Sequence, residues 1–145
     1  MGINPEITKH NVGIDSRDWL YSRKGFDTCV PVTLNLALFT TGLGFGIAPY
    51  EGYIPSGTAL AKVTATGLYG PYDTAGAGGL EIFTGLLLNP AVLKDTDGNV
   101  FTRDVNAMMR EGDIIQAKLP VFTGASGEID VDARGSAAGL FFWWR

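Results

Sequence analysis

The stretch 53-YIPSGTALAKVTATGLYGPYD-73 decides the fold of this chain. Apolar and polar residues alternate over residues 58–66, which is the two-residue period of a β-strand. The apolar face of that strand would carry Ala59, Ala61, Val63 and Ala65. Glycine and proline residues occur before and after this strand, so loops are predicted over residues 40–57 and 67–80. The stretch contains tyrosines but no group typical of catalysis, and it predicts a short strand held between turns.

The remainder of the chain repeats this arrangement of short apolar runs between breakers. Further strands are predicted over residues 30–39, 80–88, 115–121 and 127–133, and in the ending 139-GLFFWWR-145. Residues 80–88 are apolar almost throughout, which is typical of a strand buried on both faces. The sequence therefore predicts a mainly β, largely antiparallel domain.

One short helix is predicted over residues 104–112. Asp104 can serve as its N-cap and Gly112 as its C-terminal stop. A helix of about two turns needs tertiary contacts for its stability, and Val105, Met108 and Met109 would supply them. The chain holds twenty glycines and seven prolines, about twice the usual glycine content, so longer helices are not expected.

Residues 1–28 show neither a helical nor a strand period. Isolated apolar residues interrupt a polar segment that cannot bury enough surface alone to offset its ordering entropy. The segment is either a disordered terminus or an arm that becomes ordered against another chain. Trp19, Leu20 and Tyr21 favour the arm, so we predict an extended N-terminal arm over residues 1–28 and a β-rich domain over residues 29–145.

Composition limits the possible partners. The net charge is -4 and no block of lysine or arginine is present, which argues against nucleic acid and anionic membranes. The longest apolar runs are far too short to span a bilayer, and we expect no targeting segment. Cys29 is the only cysteine, so neither an intrachain disulfide nor a multi-cysteine metal site is expected.

Residues suited to catalysis are few. His10 is the only histidine and lies in the unpatterned arm, where no imidazole would be held for nucleophilic or metal chemistry. The acidic pairs of the predicted turn at residue 95 and strand at residue 130 are more simply solvated. We expect no enzyme, no metal and no cofactor. A row of exposed tyrosines could instead bind sugar or pack at the ends of the domain, namely Tyr50, Tyr53, Tyr69 and Tyr72.

The segments 53-YIPSGT-58 and 64-TATGLYGPYD-73 together resemble the central signature of a known family. The family is the lambda-type capsid-stabilising group, the head decoration proteins of tailed phages, especially members from phages of actinobacteria. The segments 85-GLLL-88, 112-GDII-115 and 118-KLP-120 are similar to the same family in order and spacing. The aromatic ending departs from the family, which has a shorter and plainer hydrophobic strand there.

The resemblance implies a structural protein. Members form homotrimers on the outer surface of the expanded head and cement the major capsid protein against internal DNA pressure. The implied fold is a small antiparallel barrel-like domain of the β-tulip type, with an N-terminal arm that adds main-chain hydrogen bonds to capsid strands. The implied location is the outside of the virion. The alternative is a phage or cell-surface β-module that binds carbohydrate or protein.

These expectations assign candidate contact residues. The arm would meet the capsid through Ile14, Trp19, Leu20, Tyr21 and Phe26. Contacts between copies would come from Tyr53, Tyr69, Tyr72, Phe141 and Trp143. The last two belong to the aromatic ending, in which large apolar side chains on both faces of one strand suggest that one face meets another chain.

Overall fold

The computed structural model describes residues 17–23, 25–46, 52–94, 97–122 and 126–129, together with the backbone of residues 141–144 and the side chain of Phe142. This part of the chain is mainly β, as predicted. Its strands are β1 Val30–Asn35, β2 Tyr53–Ile54, β3 Ala59–Lys62, β4 Tyr69–Pro71, β5 Gly85–Leu87, β6 Ala91–Val92, β7 Arg103–Met109, β8 Glu111–Ile114 and β9 Phe141–Trp144. Single 3-10 turns occur at Phe26–Thr28, Leu36–Leu38, Thr41–Leu43 and Gln116–Lys118.

Five strands form the main sheet in the order β1-β4-β3-β5-β7, and β7 also pairs with β1. The β1–β7, β3–β4, β3–β5 and β5–β7 pairs are antiparallel. The remaining pair, β1–β4, is parallel and consists of the single register position Leu34↔Tyr69. Two small sheets stand beside this one: β2–β6 is antiparallel, and β8–β9 is parallel.

Core side chains lie on both faces of the main sheet and form two clusters. One core, the Phe45 cluster, contains Val32, Leu34, Leu36, Phe39, Phe45, Ile54, Leu60, Leu87, Ala91, Leu93, Met108 and Phe122. The other, the Trp19 cluster, contains Trp19, Ala59, Ala61, Tyr72, Phe83, Leu86, Leu88, Met109, Ile114 and Leu119. Neighbours along one strand belong to opposite clusters because successive side chains point to opposite faces.

The strands at the centre of the sequence are shorter than predicted. β3 ends at Lys62, because the amide of Gly67 donates to the carbonyl of Val63 and the chain turns there. Ala65 is consequently exposed, whereas Leu60 on the opposite face of β3 is fully buried. Within residues 80–88 only Gly85–Leu87 forms a strand, but its predicted burial on both faces is confirmed.

The predicted helix over residues 104–112 is wrong. Those residues form most of β7 and the beginning of β8, and the described residues contain no α-helix. As a strand, β7 pairs with β1 along six register positions and also with β5. It buries Met108 in one cluster and Met109 in the other, which one short helix could not do. Tertiary pairing thus overrides local helix propensity, and Val105 is left 76% exposed instead of docked.

Two further strand predictions change. Residues 115–121 were predicted as a strand, but the strand lies earlier, at Glu111–Ile114, and the 3-10 turn Gln116–Lys118 follows it. Residues 127–129 are not in a strand, and residues 130–133 lie outside the described part of the chain. The strand predicted in the aromatic ending is confirmed by β9.

The close approach of β5 to β7 generates a testable prediction about Gly85. A Cβ atom there would lie 2.5 Å from the carbonyl oxygen of Met109 and 2.7 Å from Cγ of Met108. We expect Gly85→Ala to lower the free energy of unfolding by about 1–3 kcal/mol through overpacking, measured by urea denaturation.

Gly42→Ala is the matched control. The added methyl group would meet only Thr40 Oγ1, at 3.9 Å. Its effect is expected to stay within about 0.5 kcal/mol. Equal stability of the two variants would contradict this account of the β5–β7 contact.

Candidate functional site

Residues 17–23 and 25–28 lie along one edge of β8. The carbonyl of Trp19 accepts from the amide of Ile115 at 2.7 Å, and the amide of Tyr21 donates to the carbonyl of Asp113 at 2.9 Å. Leu20 and Ile114 form an antiparallel bridge between these hydrogen bonds. Since β9 pairs with the other edge of β8, this strand holds both the N-terminal and the C-terminal segments of the sequence.

The indole of Trp19 occupies a socket made by the central signature. Trp19 is 1% exposed, and its Nε1 donates to Ser56 Oγ at 3.2 Å. Ser56 Oγ in turn donates to the carbonyl of Leu88 at 2.6 Å. Gly57 has φ +93°, and a Cβ atom there would lie 2.9 Å from the indole nitrogen. Serine supplies an acceptor for the indole and glycine supplies space, so the segment 53-YIPSGT-58 receives one tryptophan side chain.

Arg17 adds a second attachment beside the socket. Its Nε donates to the carbonyl of Leu88 at 3.1 Å, and its Nη2 donates to Asn89 Oδ1. Its guanidinium also lies over the ring of Phe26, 5.4 Å from the centroid. We call Arg17, Trp19, Ser56, Leu88 and Asn89 the root site, because their contacts hold residues 17–19 against the chain that follows β5.

The carboxylates next to this segment are engaged locally. Asp113 Oδ2 accepts from Ser22 Oγ at 3.0 Å, and Glu111 Oε1 accepts from Thr28 Oγ1 at 2.7 Å. The two bonds connect Ser22 and Thr28 with β8. They give these acids a structural role at the edge of the domain.

The predicted arm residues have different environments. Ile14 lies outside the described residues, Trp19 is buried in its own domain, Leu20 and Phe26 are half-buried, and Tyr21 is 57% exposed. The arm was predicted to span residues 1–28, yet residues 17–23 and 25–28 pack on the domain. Residues 1–16 lie outside the described part of the chain, and the arm stays a prediction.

Two of the five residues predicted to contact other copies are buried in the domain. Tyr53 and Tyr72 are 5% and 1% exposed, and the Tyr72 hydroxyl is 3.0 Å from Thr74 Oγ1. Tyr69 is half-buried against the Phe45 cluster. The backbones of Phe141 and Trp143 pair with β8, and their side chains lie outside the described part. Because Tyr53 and Tyr72 are buried, they cannot belong to an exposed row of sugar-binding tyrosines. Tyr50 lies outside the described residues.

Reactive groups in the described part are few. Burial raises the pKa of the Cys29 thiol above its ordinary 9.0, although nearby Arg17 lowers it and Asp27 raises it further. The thiol therefore remains protonated at neutral pH and is a poor nucleophile. No group of three or more potential metal ligands occurs among the described residues. The same residues include no helix long and apolar enough to cross a membrane.

Exposed apolar side chains lie on the surface of the domain. Large exposed hydrophobic residues are Tyr21, Ile82, Val100, Phe101, Val105 and Val121. Val100 and Phe101 line a cavity of about 360 Å³ whose other walls include Leu36, Phe39 and Leu93. The sequence did not single out this cavity, because its walls are far apart along the chain.

Known proteins provide no guide to this chain: no family model, no curated protein and no solved structure matches it.

The socket predicts a specific cost for losing one hydroxyl group. Ser56→Ala removes the acceptor of the indole N–H and leaves that donor buried and unpaired. We expect the free energy of unfolding to fall by about 1–3 kcal/mol in urea denaturation followed by Trp fluorescence.

Ser22→Ala provides the comparison, since it also removes a serine hydroxyl from this region. Ser22 is only half-buried and its partner is a carboxylate that water can reach, so a loss below about 1 kcal/mol is expected. A smaller loss for Ser56→Ala than for Ser22→Ala would show that the socket is not the stronger attachment.

Proposed function

We propose that this chain is a capsid decoration protein that binds the outer surface of an expanded phage head as a homotrimer. The observation that carries the proposal is the pair of signature segments 53-YIPSGT-58 and 64-TATGLYGPYD-73. Such a protein acts by forming contacts with other proteins, and its proposed role includes no catalysed reaction. We also propose the finer fold assignment, a small barrel of the β-tulip type, which the closed ring of strand pairings supports.

The root site supports a role for residues 1–16 as the capsid-binding arm. Sixteen residues precede Arg17, and an extended segment of this length spans up to about 50–58 Å. Apolar residues recur along it, namely Ile3, Ile7, Val12 and Ile14. In β-augmentation, main-chain hydrogen bonds provide affinity while such side chains fix the register.

The surface of the domain supports contact with other protein chains. Val100, Val105 and Val121 are each at least 66% exposed, which suits surfaces that a neighbouring copy or the major capsid protein covers. The net charge of -4 suits a position outside the head, away from packaged DNA. Neither nucleic acid nor membrane is a proposed partner.

Stabilisation follows from mass action. A protein that binds only the expanded lattice lowers the free energy of that state and opposes its rupture or contraction. Three linked copies bind with far greater avidity than one, since the second and third attachments are intramolecular. No cofactor or catalytic residue is needed for this mechanism.

Size in solution and cosedimentation test the proposal together. We expect analytical ultracentrifugation to give a trimer, and the trimer to cosediment saturably with expanded, undecorated heads of the phage that encodes the chain. Unexpanded heads are the control and should not bind. A monomer that fails to sediment with expanded heads would refute the proposal, and saturable quenching of Trp fluorescence by glycans would favour a carbohydrate-binding module.

Two truncations separate the arm from its root. Deletion of residues 1–16 retains the contacts of Arg17 and Trp19 with the domain, so the domain should remain folded, whereas cosedimentation should weaken greatly. Deletion of residues 1–28 also removes the buried Trp19 and should cost a further 3–5 kcal/mol or so of unfolding free energy. Thermal melting and cosedimentation measure the two effects. Full head binding without residues 1–16 would contradict the proposed role of the arm.

A further inference from the structure

We propose that Arg17 and Trp19 fix residues 17–19 on the domain, so that the part of the chain before Arg17 starts from a defined point when it binds a partner strand. The identity of that partner as a capsid strand rests on the proposed function, whereas the fixing of the root does not. Arg17 and Trp19 are therefore positioning residues.

The carbonyl oxygen of Leu88 is the centre of the root site. It accepts from Ser56 Oγ at 2.6 Å and from Arg17 Nε at 3.1 Å. A carbonyl oxygen has two lone pairs, so both donors can be satisfied at once. Trp19 reaches the same oxygen indirectly, through its hydrogen bond to Ser56. Two side chains separated by one residue are thus tied to one backbone group.

This carbonyl belongs to the rigid part of the domain. Leu88 directly follows β5, and its amide donates to the carbonyl of Ala107 in β7 at 2.9 Å. The carbonyl of Asn89 accepts from Asn106 Nδ2, also in β7, at 3.1 Å. Leu88 and Asn89 thus connect the root site to β7 of the main sheet. The side chain of Arg17 cannot move without breaking its hydrogen bonds to these two residues.

Arginine suits this position because its donors are fixed in one plane. Nε and Nη2 bridge two neighbouring acceptors, the carbonyl of Leu88 and the side chain of Asn89. A lysine would offer a single rotating ammonium group and could not reproduce that fork. Ordering the root before binding lowers the entropy that the arm loses when it pairs with its partner.

Arg17→Ala and Arg23→Ala form a matched pair for testing the inference. Both arginines stack on Phe26, with centroid distances of 5.4 and 5.8 Å, so each substitution removes one guanidinium from the same ring. Arg17 alone is shown to donate to Leu88 and Asn89. The full-length chain carries a nitroxide spin label at Ser16→Cys, with Cys29→Ser removing the native thiol.

We expect the label to become more mobile in Arg17→Ala and to remain unchanged in Arg23→Ala. Binding to expanded heads should weaken roughly tenfold in Arg17→Ala and less than about twofold in Arg23→Ala. Asn89→Ala is the second variant if Arg17→Ala does not fold. It removes one acceptor of the fork but keeps the Asn89 carbonyl that Asn106 contacts, and it should also mobilise the label.

The outcomes are distinguishable. Unchanged label mobility in folded Arg17→Ala and Asn89→Ala would overturn the positioning role. Increased mobility with unchanged head binding would overturn the claim that root order aids binding. If the unsubstituted chain does not bind heads, the proposed function fails, but the label mobility still decides whether Arg17 fixes the root.

Discussion

The pairing of β7 with both β1 and β5 is the constraint on which the rest of this domain depends. It places Met108 and Met109, neighbours in sequence, in two different cores. β5, which pairs with β7, likewise presents apolar side chains to both cores, through Leu86 and Leu87. Gly85 permits the approach, because any side chain there would collide with the backbone of β7. Leu88 directly follows β5, so the position of the root site also depends on the pairing of β5 with β7.

The central signature shows how a segment without reactive groups can still be specific. The amide of Gly57 donates to the carbonyl of Leu87 at 2.7 Å, and Thr58 Oγ1 donates to the carbonyl of Pro55 at 2.8 Å. These bonds hold a buried turn rigid beside the end of β5. Ser56 then presents its hydroxyl group to one indole and one carbonyl. These polar groups of the turn have defined partners, and the turn therefore forms an internal binding site for the Trp19 side chain.

The sequence reveals those features of the fold that are local. The alternation of residues 30–35 and the apolar run at 85–87 identify β1 and β5, since a strand's burial pattern is visible in its own residues. β7 is different, because its favourable N-cap and helix-forming middle are local, whereas its partner β1 lies about 70 residues earlier in the chain. Loop closure between such distant segments leaves no periodic signal, and the local pattern predicted a helix.

The root site was only partly predictable for the same reason. Trp19 was predicted to contact another chain, and its indole N–H donates instead to Ser56 of its own chain. Arg17 and Asn89 gave no signal, since a lone arginine and an Asn-Pro turn are common on surfaces. The available hint was Ser56 itself, a hydroxyl group placed between proline and glycine in a segment otherwise suited to burial. A buried hydroxyl needs partners, and that requirement points to a second segment docked against the turn.

A protein that acts by contact needs rigidity at the points where it is attached, because every mobile attachment loses entropy on binding. On the proposed function, the arm supplies main-chain hydrogen bonds and the domain supplies a fixed origin for them. Three such origins in a trimer would lie at constant separations, and the avidity of linked attachments depends on those separations matching the lattice. In this scheme the buried indole, the shared Leu88 carbonyl and the strands behind it have one role: they give the N-terminal segment a defined starting point on the domain.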